Sequence, residues 1–368
     1  PGPRGARAGR PRLHRAGLTV SFAARRLFQL RLGEHAEALA FSPDGKTLAV
    51  GTLAGALSLV DAESGELRRG WEGHHDGVYS AAFSPDGGLL AVGTGAGEGL
   101  LYKVSDGSLV ASLKVGTGWT EHIAWGKGGT AVAFAAGKVL TVATPAGMPQ
   151  GRFDGHESSV TALLARPKVG GFATGCLQSA RLIGKAGTKV ERLLEDGSGI
   201  VALTMSPDEQ WLIAGHQDGS MRAWNLTSGS DLEMSGYPTK VRALAWGERG
   251  PWLATAGGNT VVLWSFTGKG PARTKPAEIE GHSDKIMGLA FAQGGQLLLS
   301  AGADGLFHGA VQEGKEFRSV FVDDVKGPLV RLVVARQGTV AAAAGRGGDV
   351  FAWGLRRGAA GAEGEGGA

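Results

Sequence analysis

Nine histidines, one cysteine and 34 acidic residues in a chain of 368 could supply metal ligands or acid–base groups, so their spacing decides what chemistry is open to them. A zinc site needs its ligands grouped at short, fixed separations, as in two histidines one helical turn apart. The histidines do not comply: His74 and His75 are adjacent, and His156, His216, His282 and His308 are scattered singly. Hydrolysis by a serine nucleophile would need a Gly-x-Ser-x-Gly elbow between a strand and a helix, and none occurs in such a setting. The Gly-rich stretch Gly93-Thr-Gly-Ala-Gly-Glu-Gly lacks the following Lys-Ser/Thr and helix of a phosphate-binding loop. Cys176 has no second cysteine to pair with and reads as a small core residue. The pattern points away from an enzyme, and no cofactor or metal is expected.

The elements that position these groups are dictated by a repeat. Phe41-Ser-Pro-Asp-Gly, followed by an apolar run to Gly51, returns as Phe83-Ser-Pro-Asp-Gly with a similar run to Gly93. Eight apolar anchors recur, Phe41, Phe83, Trp125, Ala165, Met205, Trp246, Phe291 and Val334, separated by 42, 42, 40, 40, 41, 45 and 43 residues. So regular a period defines a repeat architecture. A short apolar strand starts five residues before each anchor, and a turn rich in Pro, Asp and Gly follows it. The second strand is apolar and small, as in Leu48-Ala-Val-Gly and Leu297-Leu-Leu-Ser-Ala-Gly. It suits crowding on both faces and is expected nearer an axis. A third strand ends on a bulky residue at Val60, Tyr102, Ile183, Trp224, Trp264 and Trp353, and a fourth follows a second turn, as after Asp61-Ala-Glu-Ser-Gly.

Four short strands per ~40 residues predict an all-β fold, a β-propeller of eight four-stranded blades. Seven blades is the alternative, with the third unit, Trp125-Gly-Lys-Gly-Gly, the least typical. The eighth unit supplies only three strands. Either Leu18-Thr-Val-Ser-Phe or Leu27-Phe-Gln-Leu-Arg-Leu is predicted to add the fourth and close the ring by pairing with the last blade.

The units resemble WD repeats, the WD40 family of propellers. Gly73-His74, Gly155-His156 and Gly281-His282 match the opening dipeptide, while Asp218-Gly219 with Trp224-Asn225, and Asp304-Gly305, match the later part. The resemblance runs from about residue 34 to 354. It implies structural roles at the repeat positions His74, His156, His282, Asp218, Trp224, Trp264, Asp304 and Trp353. It is incomplete in every unit: the seventh has His282, Ser300 and Asp304 but Ala310 where a Trp would stand, and the fifth lacks the Gly-His. Apolar packing between blades is therefore expected to carry most of the stability. His216, standing where the family has Ser or Thr, reads as a satisfied blade histidine, with a ring turned toward the open face as the alternative.

Charge divides unevenly. Residues 1–33 hold eight arginines and no acidic residue, whereas the remainder has 30 Lys and Arg against 34 Asp and Glu, so the basic excess belongs to one end. A mildly acidic ring is a poor nucleic-acid binder. Residues 1–17 read as a basic disordered or targeting segment, 18–355 as a single propeller domain and 356–368 as a flexible Gly/Ala-rich tail. There is no apolar run long enough to suggest a membrane span. An intracellular, cytoplasmic location is expected, with organelle targeting by the Arg-rich end as the alternative.

The expected function is a non-catalytic scaffold, a monomeric ring within a larger complex that binds protein or peptide partners through its rim loops and central channel. The alternatives are a propeller enzyme with a metal or cofactor on its axis, and a nucleic-acid-associated factor using the basic tail. The starts of the first strands supply the candidate rim residues Tyr79, Trp119, Glu121, Lys240, Arg242, Lys285, Met287 and Arg331, with Tyr, Trp, Arg and Met the types that anchor interfaces.

Overall fold

The computed structural model describes residues 21–358, apart from Arg249, Lys269 and Lys315. It contains eight four-stranded antiparallel sheets, seven of them built from strands in chain order. We number these blades 1 to 8 by the anchors given above. In blade 8 the outer strand is Phe22–Arg31, paired along the final strand Asp349–Arg357 from Phe22↔Arg357 to Arg31↔Asp349. The ring is thus closed by a strand from near the start of the chain, and the eight-blade reading holds over the seven-blade one. The segment 1–17 and nearly all of the Gly/Ala-rich tail lie outside the described residues.

Each blade's first strand packs against the first strands of its two neighbours, and that of blade 1, Ala36–Phe41, meets that of blade 8, Leu329–Val334. These first strands therefore surround the axis. The expectation that the second strand lies nearest the axis is corrected by this arrangement. Second strands such as Thr47–Thr52, Trp211–His216 and Val340–Gly345 are buried throughout. Their two covered faces lie against the blades on either side, whereas an inner strand keeps part of its surface free on the channel. Small residues are required where blades meet: a Cβ at Gly51 would overlap the Val78 side chain of the next blade, and one at Gly215 would strike the Val241 carbonyl.

There is no single core. Eight apolar clusters occur, each drawn from two adjacent blades. The seam between blades 1 and 2, for example, joins Ala38 and Leu57 to Val78, Leu90 and Tyr102. Truncating a fully buried residue such as Leu57 or Leu90 to alanine would cost about 2–5 kcal/mol.

One local irregularity positions the face of interest. In six inner strands the register slips by one residue near the strand start, a β-bulge that leaves Glu37, Tyr79, Glu121, Val201, Met287 and Val330 without a register partner. A bulge bends the strand and re-aims the extra side chain.

Candidate functional site

The repeat histidines join neighbouring blades. His282, in the loop leaving blade 6, has Nδ1 3.1 Å from both carboxylate oxygens of Asp304 and Nε2 2.8 Å from Ser300 Oγ in blade 7. His156 places Nδ1 2.8 Å from the Lys138 carbonyl and Nε2 2.9 Å from Thr174 Oγ1. His74 bridges the Gly55 carbonyl and the Tyr102 hydroxyl at 3.1 and 2.9 Å. All three are buried. In each case they stand nine residues before an anchor, and that offset finds two further members that the Gly-His pattern misses.

At the same offset in blade 6 stands Tyr237, whose hydroxyl lies 2.6 Å from Thr255 Oγ1 and accepts a 2.8 Å bond from Trp264 Nε1. In blade 5 it is Asp196, whose carboxylate lies 3.0 Å from His216 Nε2. His216 Nδ1 is 2.8 Å from Ser220 Oγ, which donates to Asp218 Oδ1 at 2.7 Å. His216 is 2 % exposed, so it is a blade histidine and does not face the open end. Between blades 7 and 8, Trp353 Nε1 donates to Asp323 at 2.6 Å, and Arg26 of the closing strand pairs with the same carboxylate. Trp125 Nε1 donates to the Ala82 carbonyl at 3.0 Å between blades 2 and 3, and Gln337 Nε2 to the Pro43 carbonyl at 2.6 Å between blades 8 and 1, so polar links cross all eight seams, more than the incomplete family pattern implies, because other residue types serve in place of the family's. Trp224 is buried in the apolar layer between blades 4 and 5.

Ser220, His216 and Asp196 stand in the order of a hydrolytic relay. All three are buried, and Ser220 commits its proton to Asp218. No group of three or more His, Cys, Asp or Glu suited to a metal ion occurs among the described residues. Cys176 is fully buried, with Sγ 3.1 Å from Glu157 Oε2.

The channel mouth is where exposed chemistry collects. Four residues before each anchor stand Glu37, Tyr79, Glu121, Thr161, Val201, Arg242, Met287 and Val330, six of them bulge residues. Tyr79 and Trp119 come from neighbouring blades and stack, with ring centroids 5.0 Å apart and planes 16° from parallel. Trp119 nonetheless stays 55 % exposed. Arg331 pairs with Glu37, whose other oxygen lies 3.1 Å from His35 Nε2. The Glu121 carboxyl, surrounded by protein in the concave mouth, is held above its ordinary range by loss of solvent and then by Glu37, with Arg331 opposing. Both carboxylates also raise the Tyr79 hydroxyl, after the effect of burial. His122, which the sequence reading passed over, follows Glu121 on the same strand. Burial lowers its pKa to about 4, the Arg331 charge adds to this, and the Val160 carbonyl opposes it.

The candidate rim residues therefore fall into two groups. Tyr79, Trp119, Glu121 and Arg331 converge with Glu37 over blades 8, 1, 2 and 3. Lys240 and Arg242 of blade 6, and Lys285 and Met287 of blade 7, lie across the channel; the three cationic side chains are exposed and Met287 is half-buried.

The WD-domain, G-beta-repeat model matches residues 65–102, 188–225, 230–265 and 273–308, and the model of the anaphase-promoting complex subunit 4 WD40 domain matches residues 20–80. The chain belongs to the WD-repeat family. Among curated proteins it is similar to Protein FIZZY-RELATED 3 of Arabidopsis thaliana, 29% identical over 119 residues, 31% of this chain and 24% of that protein. It is also similar to the B-type cell cycle switch protein ccs52B of Medicago truncatula, 29% identical over the same length and with the same shares. Cell division cycle 20.1, cofactor of APC complex, of Arabidopsis thaliana is 28% identical over 121 residues, 31% of this chain and 26% of that protein. The WD-repeat chain thus spans about a quarter of the length of the curated relatives it matches. Among solved structures, the computationally designed Ika8 protein superposes with a TM-score of 0.73 at 20% identity, over 89% of this chain and 99% of that one, a likeness of fold alone. No helix among the described residues is long and apolar enough to cross a membrane.

Proposed function

We propose that this WD-repeat propeller is a non-catalytic scaffold that holds protein partners on the loop face around its channel mouth. The observation that carries the reading is the contrast between closed seams and an open mouth. The buried histidines of the seams, with Tyr237 and Asp196, are spent on joining blades, while the equivalent positions at the mouth carry six side-chain types over eight blades. Loops and bulges on a rigid frame are where recognition is built. The exposed residues there, Trp119, Arg242 and Arg331, are of the types that dominate interface energetics. One relative's name describes it as a cofactor of the APC complex, and an adaptor role within a multi-protein assembly is the corresponding reading for this chain.

The test is photo-crosslinking in cells with benzoylphenylalanine placed singly at Trp119, Arg242 and Lys285 on the mouth, and at Leu67 and Leu109 on the exposed outer strands. The expected outcome is one shared set of protein adducts from the mouth positions, identified by mass spectrometry. Adducts from Leu67 and Leu109 alone would move the binding surface to the ring's outer edge and overturn the rim assignment.

A further inference from the structure

The two sides of the mouth are built differently, and one of them has the makings of a cation site. Tyr79 is seated in a cradle without side chains: a Cβ at Gly95 would press on its ring edge at 2.9 Å, and one at Gly77 would crowd the same edge at 3.2 Å. Held there, the ring supports Trp119 from the next blade and leaves much of the indole open to solvent. Two residues beyond Trp119, just inside the strand Thr120–Trp125, is Glu121, the bulged residue. Glu37 is occupied by Arg331 and His35, but Glu121 forms no ion pair among the described residues. Next to the aromatic pair, then, is a carboxylate with no cation of its own.

We propose that the Tyr79–Trp119 stack and Glu121 together receive an arginine side chain from a basic peptide segment of the partner. A guanidinium is planar, stacks on an aromatic face and presents paired N–H groups to a carboxylate, so it satisfies both halves of this surface at once. A neutral side chain would leave Glu121 unpaired, and an acidic one would meet Glu121 and Glu37 with like charge. The basic side of the mouth, with Lys240, Arg242 and Lys285 three to four blades away around the ring, has the opposite preference. This inference rests on the scaffold reading and names the chemistry of what the scaffold holds.

The experiment is calorimetric titration of the full chain with a Gly/Ser-flanked arginine peptide and with its citrulline counterpart, which keeps the shape and removes the charge. The arginine peptide is expected to bind and the citrulline peptide to bind at least about tenfold more weakly. Trp119→Ala and Glu121→Gln are each expected to weaken the arginine peptide by a similar factor, while Leu109→Ala, on an exposed outer strand, leaves it unchanged. Both mouth residues are exposed, so unchanged melting curves establish that the variants are folded; Glu121→Gln, which keeps the side-chain size, suffices if Trp119→Ala does not fold. Equal binding of arginine and citrulline peptides, no binding of either, or wild-type binding by Glu121→Gln would overturn the proposal. Mouth crosslinks that persist alongside such a result overturn the arginine site alone; arginine binding without mouth crosslinks overturns the scaffold reading alone.

Discussion

The seam between blades 6 and 7 and the seam between blades 4 and 5 are built from the same two side chains with their places exchanged. In the first, the loop contributes His282, and the next blade contributes Ser300 from its second strand and Asp304 from the following turn. In the second, the loop contributes Asp196 and the next blade's second strand ends in His216. What the two seams share is a histidine and a carboxylate brought close across the seam, 3.1 Å apart at His282–Asp304 and 3.0 Å at Asp196–His216, and either partner can stand on either side. The exchange has one asymmetric consequence. Asp304 also accepts bonds from the Ser283 and Leu306 amides, while the Asp196 oxygen facing His216 has only that ring, its other oxygen being held by the Ser198 amide.

Removing the histidine should therefore separate the two seams most clearly. His216→Ala leaves a buried carboxylate oxygen without a partner and is expected to cost about 3–5 kcal/mol. His282→Ala, with Asp304 still held by two amides, should cost less, and urea denaturation of the two variants measures both. Equal losses would mean that the amides at Asp304 contribute nothing beyond what Asp196 already has.

Acid titration should divide the carboxylate seams from the others. Burial alone would raise Asp196 and Asp304, but the histidine bonds, followed by the Ser198 amide at Asp196 and the Leu306 and Ser283 amides at Asp304, outweigh it and hold both below the ordinary value of 3.8. The unfolded state then binds more protons just below that value, so this stabilisation is complete above it and is lost as pH falls through the native pKa. His156 and His74 have no carboxylate bonded to them. Burial lowers both from 6.5, against the Lys138 and Gly55 carbonyls respectively, so each remains neutral in the fold where the unfolded chain would already be charged. Their seams should weaken as pH drops below 6.5, before the carboxylate seams respond. His122 acts in the same direction between 6.5 and about 4, at up to about 1.4 kcal/mol per pH unit, and His122→Gln should flatten that part of the curve. A stability curve flat down to pH 4 would contradict the neutral-histidine account.

The smallest effect is expected from Ser300→Ala. It removes one hydrogen bond to His282 Nε2 and should cost about 1 kcal/mol, with the Asp304 contact left in place. A loss as large as that of His282→Ala would show that the two bonds act as one unit.

The same comparison explains what could be read from the sequence. The period of the anchors was enough for eight blades, and the three-stranded last unit was enough for the strand exchange that closes the ring. Strand order from the axis outward was not legible, since burial on both faces of Thr47–Thr52 comes from neighbouring blades and looks the same as proximity to an axis. Tyr237 and Asp196 are not marked by residue type; only their position, at the histidine's offset from the anchor, is informative. At the mouth, the offsets identified Tyr79 and Glu121 as sharing a face. They could not reveal that Trp119 leans back onto Tyr79, because that contact crosses a seam, from a loop entering blade 3 to the bulged strand of blade 2. His122 was hidden among inner-strand positions that are small in other blades, such as Ala38, Ser80 and Gly288, and its environment depends on Arg331 from the far end of the chain.

That Phe22–Arg31 completes the last blade also sets a schedule for the molecule's making. This strand is among the earliest parts of the propeller to leave the ribosome, yet its partner Asp349–Arg357 is among the last. Through most of synthesis the growing arc has two raw ends, and the closing strand must wait with Arg26 and its neighbours uncommitted. Pairing so distant in sequence is slow to form. A ribosome that stalls anywhere within blade 8 would release an open arc whose unpaired edges are free to join those of a second molecule, and quality control of this protein would have the completion of blade 8 as its decisive moment.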